Sequence, residues 1–542
     1  MLFLFRSNSI LFDAKAELGE ELMILTSGYF IYEEELYRGN KLDSFVEAQY
    51  SSGNLESLVP HLSGCYMAVI VDGAKKKALV IQDRWGSYPL FYCQHGDELL
   101  LGDDYRDFID RYRDLKVDIS AAGQLVSFGY VFGNKTLIDG VFEFDSAHIH
   151  RLSFNEGKPI IDSAKYWTLY YSFDRASLET ASARYAELWA HRMDIFAAEL
   201  KGTAKPVIIP LSAGMDSRLV AEAVDRRGIA QYNFTFGAGP NNHEILTAGL
   251  ISRSLMHGMG QFNLYLSQEG FESFKQDGPV SYRITTGHFA EKNLWFAQKM
   301  RDNCDFMLTG HLGDFMAGDH LKSRMKLWKS PDEVVEYIVK FKSTSACKKL
   351  FYSSPSFKDA IYEPLRQRLP DDCDLINSYM RWNLGERQRR LIIRSIIAEK
   401  HSELPLMLLP FCDYELFDFY TRLPFELLLN SRLYRHAAVK HIYRDKPLMY
   451  RTKVNGHAMY PPFQGIIGEY YKKLSDLIER NTGGIKGSYD YSPEINWKEE
   501  AIDYVFPEGF PIEWLREELL PGYSRFLYAL SEFTKEYRTN QQ

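Results

Sequence analysis

The stretch from Pro206 to Leu308 most constrains the fold of this chain, because short apolar runs alternate there with helical segments. Strands that are separated by helices run parallel, since each helical crossover returns the chain to the same end of the sheet. The sequence therefore predicts a parallel sheet wrapped by helices. The predicted strands are Pro206–Leu211, Gln231–Phe236, Gln261–Leu266 and Cys304–Leu308, and the predicted helices are Ser217–Arg227, His243–Met256 and Phe289–Arg301.

The segments on either side of this stretch follow different patterns. Residues 1–175 read mainly as short strands and turns, with one helix predicted over Ser120–Phe128. A long amphipathic helix over Thr180–Leu200 comes next, and the chain is mostly helical after about Leu321, including Glu386–His401. The strands predicted before residue 176 are Cys65–Val71, Ala78–Gln82, Pro89–Cys93, Glu98–Gly102, His148–Phe154 and Tyr166–Tyr171.

We therefore predict an α/β plus α+β chain of two domains. An antiparallel β-sandwich occupies residues 1–175, and a parallel-sheet domain with a helical C-terminal part occupies residues 176–542. A chain of 542 residues exceeds one comfortable hydrophobic core, which agrees with two domains.

The composition excludes several classes of protein. A net charge of −8 gives no general field for nucleic acid, and no run reaches the ~20 apolar residues that span a membrane. None of the six cysteines forms a CxxC pair, and the first five residues are apolar without a basic leader. We expect a cytoplasmic protein with reduced thiols. A homodimer is possible on this evidence.

The segment Leu211-Ser-Ala-Gly-Met-Asp-Ser217 stands directly between a predicted strand and a predicted helix. Its small residues leave main-chain amides uncovered beside a helix N-terminus, and that arrangement binds anions such as phosphate. The hydroxyls of Ser212 and Ser217 add donors, and Asp216 is suited to hold Mg²⁺ against the phosphates. The alternative is an ordinary strand-to-helix turn in which Asp216 and Ser217 only cap the helix.

A second polar segment, Thr309-Gly-His-Leu-Gly-Asp314, follows the last predicted strand. Ligands of open parallel sheets bind beyond the carboxyl ends of the strands, so we expect Asp314 to lie near the first segment. Asp216 and Asp314 together would form a metal clamp. Without Asp216, Asp314 would be interpreted as a turn residue.

Three segments carry a resemblance to a known family. Leu211–Ser217 resembles the Ser-Gly-Gly-x-Asp-Ser loop of ATP pyrophosphatases, with Ala213 at the first glycine. Asp83-Arg-Trp-Gly-Ser-Tyr-Pro-Leu-Phe-Tyr92 is similar to the Asp-Arg-x-Gly-x-x-Pro-Leu-Tyr-Tyr segment of the asparagine synthetase family. Thr309–Asp314 looks like that family's Ser-Gly-Glu-Gly-x-Asp-Glu. The resemblance implies a glutaminase-like, Ntn-type sandwich followed by an ATP pyrophosphatase domain.

The resemblance also implies a site for ATP and Mg²⁺. Adenine would rest near Phe236 and Gly237, and Asp216 and Asp314 would bind the metal. Arg451 and Lys453, in a segment similar to the family's Arg-x-Lys-x-Gly, would contact the phosphates and the acyl-adenylate; the alternative is two solvated loop cations. The residues implied for nucleotide binding are Leu211, Ser212, Ala213, Gly214, Met215, Asp216, Ser217, Phe236, Gly237, Thr309, Gly310 and Arg451.

The implied catalytic residues are His311, Lys453 and Glu386. Asparagine synthetases carry Glu at the position of His311, β-lactam synthetases carry Tyr, and some lasso-peptide cyclases carry His. A neutral imidazole is a suitable base for an ammonium nucleophile, although a lone His is as often structural. Glu386 is considered as its partner, and the adjoining Arg387-Gln-Arg-Arg390 is interpreted as a solvated helix face.

Glutamine-using members of the family begin with Met-Cys, and that cysteine hydrolyses glutamine. This chain has Leu2, and its first cysteine is Cys65, inside a predicted strand. The resemblance therefore implies an ATP-dependent amide ligase without glutaminase activity. It would join a small-molecule, saccharide or peptide carboxylate to an amine or ammonia. The alternatives are an ammonia-dependent asparagine synthetase and a non-catalytic ATP-binding homologue.

Overall fold

The computed structural model describes residues 10–13, 22–155, 158–237, 239–265, 296–297, 299–394, 397, 404–451, 467, 470, 474, 506–510 and 524–541. The first part of the chain forms two antiparallel sheets. One has the strand order β1-β7-β6-β8, and the other has the order β10-β9-β5-β4-β2-β3. These strands are β1 (Ile10–Asp13), β2 (Leu22–Tyr32), β3 (Glu35–Arg38), β4 (Ser63–Asp72), β5 (Lys77–Gln82), β6 (Phe91–His95), β7 (Glu98–Gly102), β8 (Val141–Glu143), β9 (His148–Asn155) and β10 (Lys158–Lys165).

Helices cover the outer face of each sheet. Successive side chains of a strand point to opposite faces. In β4, Val69 therefore packs into the core between the sheets, while Ile70 packs toward the helices on the outside. In β7, Leu99 and Leu101 face inward, and Leu100 packs on the other helical layer. The result is a helix–sheet–sheet–helix sandwich, whose helices are α1 (Gly39–Ser51), α2 (Leu55–Leu58), α3 (Tyr105–Arg111) and α4 (Ile119–Phe128).

One predicted strand in this region is wrong. Residues Tyr166–Tyr171 form no strand, and the last strand of the sheet is β10, which ends at Lys165. Leu169 and Tyr171 are buried, and the main chain of Tyr171 exchanges two hydrogen bonds with the amide of Asn377. The segment is apolar because it packs against the second part of the chain, which sequence alone does not distinguish from strand pairing.

The second part contains the expected parallel sheet, in the strand order β13-β12-β11-β14-β15 with every neighbouring pair parallel. The prediction of a parallel sheet is thus confirmed, and a fifth strand, three residues long, adds to the four predicted. The strands are β11 (Val207–Pro210), β12 (Gln231–Gly237), β13 (Gly258–Tyr265), β14 (Phe306–Leu308) and β15 (Leu406–Leu408).

Helices surround this sheet and form most of the remaining described chain. The region predicted as a helix over Glu386–His401 begins earlier, as a π-helix over Asn383–Ile393. The helices are α5 (Leu178–Gly202), α6 (Asp216–Arg226), α7 (His243–Ser252), α8 (Gly313–Met316), α9 (Pro331–Lys342), α10 (Ser345–Ser353), α11 (Pro355–Gln367), α12 (Leu375–Trp382), α13 (Tyr414–Thr421), α14 (Phe425–Leu428), α15 (Arg432–Ala437), α16 (Pro447–Arg451) and α17 (Ser524–Gln541).

The two parts share one core, and the chain crosses between them twice. Trp85 donates its indole N–H to the carbonyl of Cys412 at 3.0 Å, and Tyr29 accepts the amide of Leu409 at 2.9 Å. Helix α17 returns to the sandwich and packs on α3 and α4, with the rings of Tyr105 and Phe533 5.5 Å apart. Within the described ranges, no helix is both long and apolar enough to cross a bilayer.

Candidate functional site

Strands β11 and β14 are neighbours in the sheet and run in the same direction, with Ile208 opposite Met307. Their carboxyl ends therefore open on the same edge. The chain leaves β11 into the phosphate-loop segment Leu211–Ser217, and it leaves β14 into the segment Thr309–Asp314. The edge of the sheet thus brings together the two segments that sequence analysis singled out.

Two glycines allow these segments to touch. A Cβ atom on Gly310 would lie 2.4 Å from the main-chain nitrogen of Ser217, and one on Gly313 would lie 2.6 Å from Cγ of Asp216. Both distances are far below normal contact, so no larger side chain fits without moving the backbone.

Asp216 and Asp314 form a carboxylate pair at this contact. Desolvation and the charge of Asp314 raise the pKa of Asp216 above its usual range, although Tyr434 donates a hydrogen bond to Asp216 at 2.8 Å. Desolvation acts on Asp314 too, but the hydrogen bond and charge of His320 hold the pKa of Asp314 below normal. The Asp314 side chain remains 54% exposed. Among the described residues, no Lys or Arg lies within 4.0 Å of either carboxylate.

The pair fits Mg²⁺ better than a metal that needs an all-protein cage. No three described His, Cys, Asp or Glu side chains converge as a complete metal site. Mg²⁺ is typically held by one or two carboxylates together with water and the phosphates of the substrate. Two mutually repelling carboxylates, one of them open to solvent, match that donor set.

The main-chain amides of Ser212, Ala213 and Gly214 are not uncovered, which corrects the expectation for the first half of the segment. Ser212 donates its amide to Oγ of Ser217 at 3.0 Å, and Gly214 donates to Oγ of Ser212 at 3.0 Å. Ala213 donates to the carboxylate of Glu244 at 2.5 Å. Buried N–H groups without partners are costly, so nearby side chains satisfy them. The segment therefore presents two hydroxyls, 3.0 Å apart, as its polar surface.

Two buried polar atoms beside this surface have no hydrogen-bond partner among the described residues, namely Oγ1 of Thr309 and Nδ1 of His311. Buried polar atoms in folded proteins are nearly always satisfied, so unsatisfied ones at a strand end mark a place for a polar ligand. Desolvation lowers the pKa of His311 to about 4, so the imidazole is neutral at pH 7.

The end of β12, the expected position of adenine, adjoins the same edge. Thr235 donates its hydroxyl to the carbonyl of Leu211 at 2.7 Å, which ties β12 to the start of the phosphate-loop segment. Gly237 lies directly against Asn242, the residue that caps α7, and a Cβ atom there would meet Asn242 Cγ at 2.9 Å. Phe236 is half-buried beside it. Adenine binding at Phe236 and Gly237 stays a prediction.

Of the three remaining predicted site residues, the structure describes the side chain of one, Met215. Met215 is buried immediately before α6. Arg451 is the last residue of α16, and its side chain lies outside the described part of the structure. Lys453 also lies outside the described residues.

The proposed pairing of Glu386 with His311 is wrong. Glu386 accepts the amide of Gly133 at 2.9 Å and the guanidinium of Arg390 at 2.9 Å, so it belongs to the junction with the sandwich. The adjoining arginines are not a solvated face either, because Arg389 and Arg390 are 4% and 0% exposed. They are buried because Glu143, from β8, neutralises both.

His320 was not among the predicted site residues, but it links Asp314 to the π-helix. Nε2 of His320 lies 3.5 Å from Oδ2 of Asp314, and its Nδ1 lies 3.0 Å from the side-chain amide of Asn383. Nδ1 of His320 accepts the hydrogen bond from Asn383, and Nε2 lies between the Asp314 carboxylate and the side-chain amide nitrogen of Gln388, which is 3.3 Å away. No periodic pattern connects residues 320 and 383 in the sequence, so only the fold reveals this contact.

Comparison with known proteins finds a family relationship for one part of the chain, the sandwich. Residues 43–167 match the family described as a glutamine amidotransferase domain, so the sandwich is related to that domain. No curated protein matches the chain. The structure of an NMN synthetase from Francisella tularensis is similar over 46% of this chain and 94% of its own, with 10% identity and a TM-score of 0.17. A similarity that low supports no argument about this protein.

Proposed function

We propose that this protein is an ATP-dependent carbon–nitrogen ligase of the asparagine-synthetase-like type, which adenylates a carboxylate and transfers the acyl group to an amine or ammonia. The observation that carries the proposal is the carboxylate pair Asp216–Asp314. Its two members come from neighbouring parallel strand ends, touch through Gly310 and Gly313, and have no cationic side chain of the described residues within 4.0 Å. The amidotransferase-like sandwich in front of this site supports the same class.

In the first half-reaction, an oxygen of the substrate carboxylate attacks the α-phosphorus of ATP, and pyrophosphate leaves. Mg²⁺ would neutralise the phosphate charge, and Asp216 and Asp314 are the residues suited to hold it. Ser212 and Ser217 hydrogen-bond to each other and to loop amides, and both hydroxyls can turn to donate to phosphate oxygens. A Lys453 contact to the departing phosphates belongs to this proposal.

In the second half-reaction, the amine attacks the carbonyl carbon of the acyl-adenylate, and AMP leaves as the amide forms. The nucleophile must lose a proton in this step. His311 is neutral at pH 7 and has a buried ring nitrogen without a partner among the described residues. We assign His311 an orienting role, as the acceptor of a hydrogen bond from the amine, because its low pKa makes it a weak base. The proton that the amine loses then passes to the phosphate of the departing AMP.

The ammonia or amine would come from outside the chain. Cys65 lies in β4 with 0% exposure. A buried strand thiol cannot act as an N-terminal nucleophile. We therefore propose that the sandwich has no glutaminase activity.

The proposal is tested by measuring AMP and pyrophosphate formation from ATP across a panel of small-molecule, saccharide and peptide acids, each with ammonia or an amine. Asp216→Ala is the inactive blank. Asp225, on the same helix, does not serve as a control position, because its carboxylate forms an ion pair with Lys446. Asp302→Ala is the control, since Asp302 is 90% exposed at the opposite end of β14.

Three outcomes are informative. AMP formation with one acid, lost in Asp216→Ala and kept in Asp302→Ala, supports the ligase. Activity with aspartate and ammonia alone identifies an ammonia-dependent asparagine synthetase instead. Saturable ATP binding without pyrophosphate release for any acid identifies a non-catalytic homologue.

A further inference from the structure

A second cavity lies away from the sheet edge, between the sandwich and the helical part of the chain. Its volume is about 480 Å³, within the range of small-molecule sites. One wall comes from the turn at Arg84 and from the residues after β10, and the other comes from α12 and the start of the π-helix. The indoles of Trp85, Trp167 and Trp382 line it.

The unsatisfied polar atoms on this wall are all hydrogen-bond donors. Nε of Arg84, Nε of Arg389 and Nε1 of Trp382 are buried without a partner among the described residues, and all three residues line the cavity. These side chains are 9%, 4% and 2% exposed. No described lining residue contributes a buried acceptor that lacks a partner. An occupant rich in acceptors would satisfy this surface, and an occupant rich in donors would not.

The charged side chains of the lining also favour an anionic occupant. Two of the three acids of the lining form ion pairs, Asp372 with Arg381 at 2.6 Å and Glu386 with Arg390 at 2.9 Å. The third, Asp145, forms none within 4.0 Å among the described residues, and the five cationic side chains of the lining outnumber the three acids. Lys165, at the end of β10, has no ion pair within 4.0 Å among the described residues, and Arg368 reaches Glu386 only at 3.9 Å. Desolvation and the charge of Arg381 lower the pKa of Lys165, and Asp145 and Asp372 only partly offset this effect.

We propose that this interdomain cavity binds a small organic anion, whose carboxylate or phosphate is held by Lys165 and Arg368 and whose flat apolar body lies against the indole of Trp167. Arg84 already stacks over that indole at 4.8 Å, which stiffens the wall. Lys165 belongs to the sandwich and Arg368 follows α11, so the ligand bridges the two parts of the chain. The proposal does not depend on the ligase reaction.

The test uses the full chain and three probes with the same phenyl body, namely benzoate, its neutral isostere benzamide, and phenyl phosphate. Binding is measured by calorimetry and by quenching of tryptophan fluorescence. We expect saturable binding of one or both anions and none of benzamide. Lys165→Met and Arg368→Met should each weaken anion binding about tenfold, the usual effect of losing a charged hydrogen bond. The better of the two anions identifies the headgroup.

Lys158→Met is the matched control, because Lys158 lies at the other end of β10, is exposed, and does not line the cavity. It should bind the anions as the wild type does, and circular dichroism should show all variants folded. Equal binding of benzamide and benzoate would overturn the proposal. Wild-type affinity for the anions in both Lys165→Met and Arg368→Met would also overturn it. So would a loss of phenyl phosphate binding in Asp216→Ala, because that result would assign the probe to the sheet edge.

Discussion

Carboxylates at two places in this protein differ in how their negative charge is balanced. At the sheet edge, Asp216 and Asp314 face each other, and no Lys or Arg of the described residues lies within 4.0 Å. At the junction, Glu143 is fully buried and pairs with Arg389, Arg390 and Arg394.

The difference distinguishes the proposed metal site at the sheet edge from a structural network at the junction. A buried carboxylate that is fully paired needs nothing further, and breaking such a network is strongly destabilising. A pair of carboxylates that raise each other's energy is stabilised when a cation binds between them. The paired carboxylate at the junction holds the sandwich and the π-helix together. The unpaired carboxylates at the sheet edge leave free energy available for binding a cation.

The largest expected effect is on activity at the sheet edge. Asp314→Asn should lower pyrophosphate release about a thousandfold, roughly 4 kcal/mol, because one metal ligand is lost. The same change removes the repulsion on Asp216, so the Tm should not fall. Steady-state assays and thermal unfolding measure the two effects, with Asp302→Asn as the control. An unchanged rate would remove Asp314 from the site.

The next effect is on stability at the junction. Glu143→Gln removes the carboxylate that Arg389, Arg390 and Arg394 share and, among the described residues, leaves only Arg390 paired, with Glu386. We expect a loss of about 3 kcal/mol in the free energy of unfolding. Denaturant titration measures it, and Glu187→Gln, at a side chain that is 69% exposed, is the control. A loss no larger than that of the control would mean that the network is not structural.

The glycine contact gives a third test. Gly313→Ala brings a methyl group to within 2.6 Å of Asp216 Cγ, which must displace one of the two segments. We expect about a hundredfold lower activity, since misplacement by about 1 Å has effects of that size. Gly123→Ala in α4 is the control, because open space surrounds that position. Wild-type activity of Gly313→Ala would contradict direct contact between the segments.

The smallest effect concerns the orienting histidine. His320→Ala should lower activity about tenfold, as is common when a residue that orients a metal ligand is lost. Raising the Mg²⁺ concentration should recover most of the rate, because the carboxylate is still present but less well oriented. A rate that does not respond to Mg²⁺ would indicate that His320 serves only the packing around Asn383.

Much of the fold followed from local pattern. The alternation between Pro206 and Leu308 predicted the parallel sheet, and the hairpin at Cys65–Gln82 is present as β4 and β5. The positions of Asp216 and Asp314 at adjacent strand ends followed from the same pattern. The strand predicted at Tyr166–Tyr171 failed because apolar residues at a domain junction resemble a strand in sequence.

The hydrogen-bond and ion-pair partners of individual side chains could not be predicted from local sequence pattern. Glu386 was assigned to His311 but pairs with Arg390, and the arginines predicted to be solvated are buried on Glu143. The amide of Ala213, predicted to be free, is held by Glu244. Each of these contacts joins residues that are distant along the chain or lie on different elements, except the helical neighbours Glu386 and Arg390.

The amino-acid sequence by itself determined the alternation of strands and helices between Pro206 and Leu308 and the polar residues that follow its strands, because periodicity and small-residue turns are local properties. Only the tertiary structure decided which charges are neutralised and which remain open, because burial and pairing depend on elements that meet from opposite ends of the chain. The return of α17 to the sandwich and the contact of His320 with Asn383 are of the second kind.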